Sequence, residues 1–341
     1  MKIYQAFCFL FLLITVFSCL TEEKNPLEID VSSVDIDVVL YRLEHQLDEV
    51  DTSMVQEKNQ QLIGDLGYFY EQYTQQALRM GSPYDPAIVY RLKEFLSFKD
   101  YQDLNDDLIK EFKDFKEYSS KIENGLKHIK YYYKDAITPK LVTCNSFFSN
   151  GIMPTDSVLG IGLEMYLGPD NEFVKSLPKK QFPDYFKKRM NADFLVADAV
   201  QGWYKANFEV EQKGQDFLAR ILYEGKLMYA LDAFLPKEKA EIKMRYSAKQ
   251  LKWCETNEVN IWKEIVKQDL LHTHDALSID KFVSPAPFTS GLPKDSSPRV
   301  GVWLGWQIVK DYMKKNPKVT LVDLMKETNN QKILSAYDPN N

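Results

Sequence analysis

The sequence predicts an α+β domain that is predominantly helical, with a small sheet beside a central pair of helices. Over most of the chain, apolar residues recur at three- and four-residue steps, which is the pattern of amphipathic helices. Two short runs, at 140–148 and 157–168, instead have the β-branched and glycine-rich character of strands and turns. Two successive apolar helices follow between residues 190 and 234. We expect this helix pair to form the centre of the fold.

The composition is that of a globular domain. Hydrophobic residues make up 45% of the chain and aromatic residues 13%, which is enough for a packed core. The net charge is −6 with both signs interspersed, and the absence of a dense Lys/Arg cluster argues against a nucleic-acid partner. We predict one domain over residues 29–341. Its two cysteines, Cys144 and Cys254, either form a disulfide or remain buried thiols.

Residues 1–18 have the features of a lipoprotein signal peptide. Lys2 supplies the positive end, and the apolar run at 6–17 is shorter than the roughly 20 residues that a membrane-spanning helix needs. The four residues that end at Cys19 resemble the lipobox of bacterial lipoproteins, in which the cysteine is lipidated. We therefore expect lipidation at Cys19, a tether over residues 19–28, and a chain that is anchored to a membrane without spanning it.

The first half of the domain has mainly helical patterns. Residues 29–43 alternate like a half-exposed strand that leads into a helix from Leu43. Helices are predicted at 61–80 and 87–96, separated by the breakers of GSPYDP. One long helix is predicted at 104–133, with a buried stripe made of Leu108, Phe112, Phe115, Ile122, Leu126 and Ile129. His128 lies beside this stripe without a second histidine at ligand spacing, so we interpret it as structural.

The second predicted strand contains two glycines, Gly160 and Gly162, on either side of Ile161. The third glycine and the following helix of a dinucleotide site are missing. Two interpretations remain open: an ordinary sheet strand, or an exposed edge that pairs with an extended peptide.

Polar side chains lie on the apolar faces of the central helix pair. Asp198 and Gln201 share a face with Phe194 and Ala197 on the first helix, and Glu224 lies on the apolar stripe of the second. A buried charge without a partner costs several kcal/mol. The pattern therefore indicates a site or the remains of one; for Glu224 the structural alternative is an ion pair, with Arg189 or Arg220.

The spacing is that of zinc peptidases, but the ligands are missing. Those enzymes place two histidines at i and i+4 on one helix, with a glutamate after the first, and often take a third ligand from the next helix. Here the corresponding positions hold Ala197, Asp198 and Gln201, with Glu224 downstream. Alanine has no lone pair, so we expect no catalytic zinc, no catalytic residue and no cofactor. The alternative is a hydrolase whose metal site is rebuilt from Asp198 and Glu224 with His272 or His274.

The rest of the chain is helical apart from one long loop. Charged helical patterns cover 237–258 and 260–271, and a loop with four prolines occupies 281–300. The final long helix begins with Gly301 and Gly305, whose spacing of four lets another backbone approach closely. A helical tail covers 319–336.

A family resemblance rests on the order of several motifs. The lipobox, LGIGLEMYLG at 159–168, FLARILYEGKLMY at 217–229 and the segment at 298–325 together resemble the gliding motility lipoprotein GldB family of Bacteroidota. This family in turn is similar to zinc-peptidase-like proteins that carry HExxH and then Glu-Gly. Glu224 and Gly225 match that pattern, whereas Ala197, Asp198 and Gln201 depart from it. The resemblance implies a degenerate zincin-like metallopeptidase fold with no established catalytic step.

The resemblance also implies a location and partners. It implies an envelope lipoprotein, held through its N-terminal lipid in the inner or outer membrane and facing the periplasm. It implies a requirement in gliding motility and contacts with other gliding or type IX secretion components. The function expected from the sequence is therefore non-catalytic binding or assembly, with the zinc-dependent peptidase as the alternative.

Overall fold

The computed structural model describes residues 25–48 and 50–339, so the predicted signal peptide and Cys19 lie outside the described residues. Within these residues the chain forms four short strands and fifteen α-helices, which confirms a predominantly helical fold with a small sheet. The strands are β1 (Leu40–Arg42), β2 (Lys140–Cys144), β3 (Ile152–Pro154) and β4 (Val158–Gly162).

The helices in chain order are α1 (Leu43–Asp48), α2 (Val55–Gln72), α3 (Ile88–Leu96), α4 (Lys99–Glu111), α5 (Lys116–Tyr132), α6 (Glu172–Ser176), α7 (Asp184–Lys187), α8 (Leu195–Asn207), α9 (Phe217–Phe234), α10 (Ala240–Met244), α11 (Ala248–Lys267), α12 (Ala276–Val283), α13 (Val300–Lys315), α14 (Leu321–Lys326) and α15 (Asn330–Leu334). A π-helical turn follows α2, and short 3₁₀ turns follow β4 and precede α8. No helix in the described part of the chain combines the length and apolar character needed to cross a bilayer.

The sheet has the strand order β1-β2-β4-β3. β1, β2 and β4 run parallel, and β3 pairs antiparallel with β4 at one edge. Alternate residues of β2 contribute to different apolar clusters: Leu141 packs with α5, α8 and α9, whereas Val142 and Cys144 pack with α2 and α3. The sheet is therefore a central layer with helices on both faces.

The predicted strand at 29–43 is mostly wrong. Only Leu40–Arg42 pairs with the sheet, although the helix does begin at Leu43 as expected. The alternation over the preceding residues is real, but pairing requires a neighbouring strand, and β2 offers β1 a register of only three residues.

Two predicted helices are broken by the backbone. The long helix at 104–133 is two helices, α4 and α5, because the chain leaves helical geometry at Phe112. The predicted stripe is nevertheless buried as a whole, since both aromatic residues at the break, Phe112 and Phe115, turn into the core. The charged helix from residue 237 breaks at Arg245, which has a left-handed backbone (φ 56°), and restarts at the capping residue Ser247.

The closest helix contact joins α9 and α13 through glycine. A β-carbon added at Gly305 would lie 1.9 Å from the carbonyl oxygen of Ile221, and one added at Gly225 would lie 2.2 Å from the carbonyl oxygen of Gly305. At Gly301 an added β-carbon would lie 3.0 Å from Phe282. The prediction that the glycines at 301 and 305 permit close backbone approach is confirmed, and Gly225 takes part in the same contact.

The two cysteines lie in the interior of the protein. Cys144 on β2 and Cys254 on α11 are both free and fully buried. Burial raises the pKa of both thiols. Of the two alternatives left by the sequence, the structure shows buried thiols.

The proline-rich loop between α12 and α13 is tied to the domain. Buried Thr289 donates a hydrogen bond to the carbonyl oxygen of Ser297 (2.8 Å), and Ser297 Oγ donates to the carbonyl oxygen of Gln250 (2.6 Å). These bonds hold the loop against α11. The two ends of the loop lie at the cleft described next.

Candidate functional site

A cleft of about 450 Å³ lies between the antiparallel edge of the sheet and the helix pair. We call it the edge cleft. Its walls come from β3, the 3₁₀ turn after β4, the faces of α8 and α9, and the chain segments around Arg189, Arg245 and Arg299. The short elements and loops that surround it are positioned by the buried α8–α9 core.

Three of the four positions predicted from the peptidase pattern line this cleft. Asp198, Gln201 and Glu224 are all on its wall. Ala197 is 3% exposed and belongs to the apolar core. The helix pair thus brings the polar side chains to one place, as their positions on otherwise apolar faces predict.

Asp198 is held by two donors. Tyr166 Oη donates to Asp198 Oδ2 over 3.0 Å, and Arg245 Nη2 lies 2.9 Å from the same oxygen. Burial raises the pKa of the Asp198 carboxyl, and Arg245 acts against that shift. The carboxylate is therefore already satisfied by protein groups.

Glu224 has the ion-pair partner that the structural alternative requires. Its Oε1 lies 2.9 Å from Arg220 Nη2, one helical turn earlier on α9, and its side chain is 14% exposed. Gln201, opposite, approaches only the sulfur of Met228, at 3.7 Å. Glu224 is therefore held in an ion pair on its own helix, and Gln201 contributes a neutral amide to the cleft.

The histidines of the alternative metal site are elsewhere. His272 is exposed and lies 3.7 Å from Asp216, the residue that caps α9, and His274 is also exposed. Asp216 precedes Glu224 by eight residues, about 12 Å of helix rise. Within residues 25–48 and 50–339, no group of three or more His, Cys, Asp or Glu side chains is arranged to hold a metal ion.

Gly160 and Gly162 do not form an exposed edge, so the peptide-edge interpretation of these residues is wrong. β4 pairs with β2 on one side and with β3 on the other. An added β-carbon at Gly160 would lie 2.3 Å from the ring of Phe69, and one at Gly162 would lie 2.1 Å from the carbonyl oxygen of Asn150. The glycines make room for packing on the sheet face and for the loop before β3.

The edge strands of the sheet are β1 and β3, and the edge formed by β3 borders the cleft. Gly162 donates to the carbonyl oxygen of Gly151, which makes that pair a hydrogen-bonded one. Because hydrogen-bonded and non-hydrogen-bonded pairs alternate in antiparallel strands, the N–H and C=O of Ile152 face away from β4. Ile152 lines the cleft, and its side chain packs on α8, where a β-carbon at Gly202 would lie 2.6 Å from it.

Three arginines are the main feature that the sequence did not reveal. Arg189 follows α7, Arg245 ends α10 and Arg299 precedes α13, and all three line the cleft. The first two lie in charged segments that are typical of solvated surface, and the third lies at the end of the proline-rich loop. Nothing in the local spacing connects them.

The three arginine side chains are partly buried, and few carboxylates neutralise their positive charge. Arg245 bonds Asp198 and the carbonyl oxygen of Arg189, and Arg299 reaches the carbonyl oxygen of Met244 at 3.3 Å. In the part of the chain that the structure describes, neither Arg189 nor Arg299 forms an ion pair with a carboxylate. The Nε atoms of Arg189 and Arg245 are buried without a hydrogen-bond partner. Burial and, after it, the neighbouring charges of Arg299 and Arg245 lower the pKa of Arg189 to about 9.

A larger groove of about 1180 Å³ lies between the segment Glu28–Ser32 and α5. Its lining contains four lysines and five carboxylates, and it contains none of the residues singled out from the sequence except His128. His128 Nδ1 lies 2.9 Å from the carbonyl oxygen of Asn124, one turn earlier on its own helix. The edge cleft combines several arginine side chains with a free strand edge. It is therefore the stronger candidate for the functional site.

The fold and the cleft define a predominantly helical α+β domain with a preformed cationic site and no assembled metal ligands among its described residues. The chain belongs to the family of the gliding motility protein GldB, whose model matches residues 24–339. It is therefore a gliding motility protein, and the family is designated a lipoprotein family, which indicates a membrane-anchored envelope protein. The chain matches no curated protein and no solved structure.

Proposed function

We propose that this protein is a non-catalytic binding component of the gliding apparatus, which holds an extended segment of another envelope protein in the edge cleft. The observation that carries the proposal is the outer edge of β3 beside the cleft, where Ile152 presents both its N–H and its C=O. Extended segments bind such edges through main-chain hydrogen bonds, and neighbouring pockets select side chains. The partner belongs to the gliding or type IX secretion machinery, and no nucleic acid is involved.

A lipid on Cys19 anchors the domain to the inner or outer membrane, facing the periplasm. The support is the lipobox and the short tether to Leu27, whose side chain packs against the main core. Cys19→Ser is expected to abolish lipid labelling and to release the protein from membranes. Unchanged labelling would refute lipidation at this residue.

We further propose that the domain descends from a zinc peptidase and that its source is a member of the Bacteroidota. What supports descent is the combination of an antiparallel edge strand, a helix beneath it and a glutamate on the next helix that faces the same cleft. The histidine positions of the peptidase pattern hold Ala197 and Gln201. During this descent the shape of the cleft was retained, and the metal ligands needed for hydrolysis were lost.

The function is tested by reversing the charge of the cleft without disturbing the core. Gln201 and Lys205 are one turn apart on α8 and line the cleft, and Lys205 is exposed. A strain that lacks the protein is complemented with the double variant Gln201→Glu/Lys205→Glu. We expect normal amounts of envelope protein and a loss of gliding.

The matched control makes the same chemical changes away from the cleft. Lys318 and Gln331 are exposed, and Gln331→Glu/Lys318→Glu adds the same charge. Its gliding is expected to equal that of the wild type. Equal gliding by both double variants would refute the cleft as the binding site. Stoichiometric zinc in the purified protein, lost in Glu224→Ala, would replace this proposal by the peptidase alternative.

A further inference from the structure

The cleft holds more positive charge than the protein neutralises. Its lining contains four cations, contributed by Arg189, Lys205, Arg245 and Arg299, and two carboxylates. Both carboxylates are already paired: Asp198 with Arg245, and Glu224 with Arg220 from outside the lining. The excess is local, because the chain as a whole has a net charge of −6. Partly buried cations that are not directly paired with a carboxylate are unfavourable, so the presence of Arg189 and Arg299 requires a reason.

The backbone conformation at two of these arginines also needs an explanation. Arg245 and Arg299 both adopt left-handed geometry, with φ of 56°. Glycine or asparagine would adopt the same backbone with less strain. At both positions the strain is offset by side-chain contacts in the cleft: Arg245 bonds Asp198, and Arg299 reaches the carbonyl oxygen of Met244.

The arginines also have unused donors. Buried Nε atoms of Arg189 and Arg245 lack acceptors, and the Arg299 guanidinium has one weak bond to a carbonyl oxygen. Burial and the nearby guanidinium of Arg299 lower the pKa of Arg189, an effect that a bound anion reverses. A guanidinium fork binds a carboxylate or a phosphate through two parallel hydrogen bonds.

The geometry of β3 indicates which carboxylate fits. The side chain of Ile152 points to α8, on the side of the sheet where Arg245 meets Asp198. In a strand that pairs with β3, every second side chain points to that same side. An acidic side chain at such a position is directed toward the arginines.

We propose that the edge cleft selects extended segments with an aspartate or glutamate side chain, which is bound by Arg189 and Arg299 while the segment pairs with β3. This inference rests on the proposed function, because it names the chemistry of the segment that the cleft holds. The predicted partner is an envelope protein with an exposed acidic strand or tail.

The test is a peptide array with the full-length protein purified in mild detergent. The array contains eight-residue peptides of random sequence, acetylated and amidated, in pairs that differ only by a central glutamate or glutamine. We expect the glutamate members to be bound about tenfold more strongly on average, the usual gain from a charge-assisted hydrogen bond. Arg189→Gln is expected to reduce this ratio below about threefold, mainly through weaker binding of the glutamate members.

Two further variants separate the effect from misfolding. Arg299→Gln, on the second guanidinium, is expected to reduce the ratio in the same way. Arg79→Gln is the control, because Arg79 is also left-handed (φ 55°), is exposed and lies outside the cleft. It is expected to keep the wild-type ratio. A ratio near one in the wild type, or one unchanged in both cleft variants, overturns the inference while leaving peptide binding intact.

Other sources of an anion are separate arms of the experiment. A third set of peptides has glutamine at the centre and a free C-terminal carboxylate. Stronger binding of that set than of the glutamate set overturns the assignment to a side chain. Binding of inorganic phosphate or of phosphatidylglycerol vesicles that Arg189→Gln abolishes, with no peptide bound, overturns both the inference and the peptide-binding function.

Discussion

The contact between α9 and α13 allows a stability prediction whose size follows from the structure. The perturbation is Gly305→Ala. The new β-carbon would lie 1.9 Å from the carbonyl oxygen of Ile221, about 1.5 Å less than the 3.4 Å of ordinary contact. Because the obstructing atom belongs to the backbone of α9, no side-chain rotation can make room. The two helices must separate along their shared interface.

The magnitude follows from what that separation loses. A radial gap of 0.5–1 Å already forfeits a quarter to a half of a dispersion contact, and overpacking a well-packed interior costs about 1–3 kcal/mol, occasionally more. Alanine regains about 1 kcal/mol over glycine in a helix. Because the strain falls on two buried backbones, we expect the upper end of the range. The unfolding free energy should fall by about 3 kcal/mol.

The assay is urea unfolding of the variants, followed by tryptophan fluorescence. Gly64→Ala is the control, since Gly64 is exposed on α2 and an added β-carbon there meets nothing within 4 Å. It should be stabilised by about 0.5–1 kcal/mol. If Gly305→Ala were as stable as Gly64→Ala, the close approach of α9 and α13 would be refuted.

Two further predictions concern buried charges. Burial raises the pKa of the Glu164 carboxyl to about 7 from 4.5, so its contribution to stability is present below about pH 4.5 and is lost as the pH rises through 7. The difference in unfolding free energy between the wild type and Glu164→Gln should therefore change by about 3 kcal/mol across that window; parallel pH profiles would contradict it. Lys243 pairs with Asp232 at 2.5 Å in a buried site, and Asp232 also contacts Trp306 and Lys310, so Lys243→Met should cost about 3 kcal/mol in urea unfolding, the lower end of the range for a broken buried pair. Lys121→Met, which breaks the exposed pair with Glu117, should cost less than about 1 kcal/mol, and equal losses would show that burial does not matter here.

Local periodicity was sufficient for the centre of the fold. The helices that became α8 and α9 were predicted from apolar spacing, and the polar residues on their faces, Asp198, Gln201 and Glu224, do meet in one cleft. The close approach of two backbones at Gly305 could also be predicted from the sequence, because only glycine has no side chain to keep them apart. These features depend on which face of a helix a residue occupies, and sequence spacing determines that directly.

The positions at which helices are interrupted were harder to predict from the sequence. The apolar stripe of α4 and α5 continues across Phe112, so periodicity predicted one helix where the structure has two. At Arg245 the break depends on a left-handed residue that is neither glycine nor asparagine. Such a conformation is stabilised by tertiary contacts, here the bonds of the arginine to Asp198 and Arg189, and a local pattern does not contain them.

By itself, then, the amino-acid sequence determined the helix faces, the small sheet, the glycine contact and the family. Only the tertiary structure decided that β3 and not β4 forms the sheet edge beside the cleft, because strand order depends on pairing between distant segments. It also decided that Arg189, Arg245 and Arg299 share one cleft. These arginines are more than fifty residues apart along the chain, so their meeting is a consequence of how α7, α10 and α13 pack around the central helices.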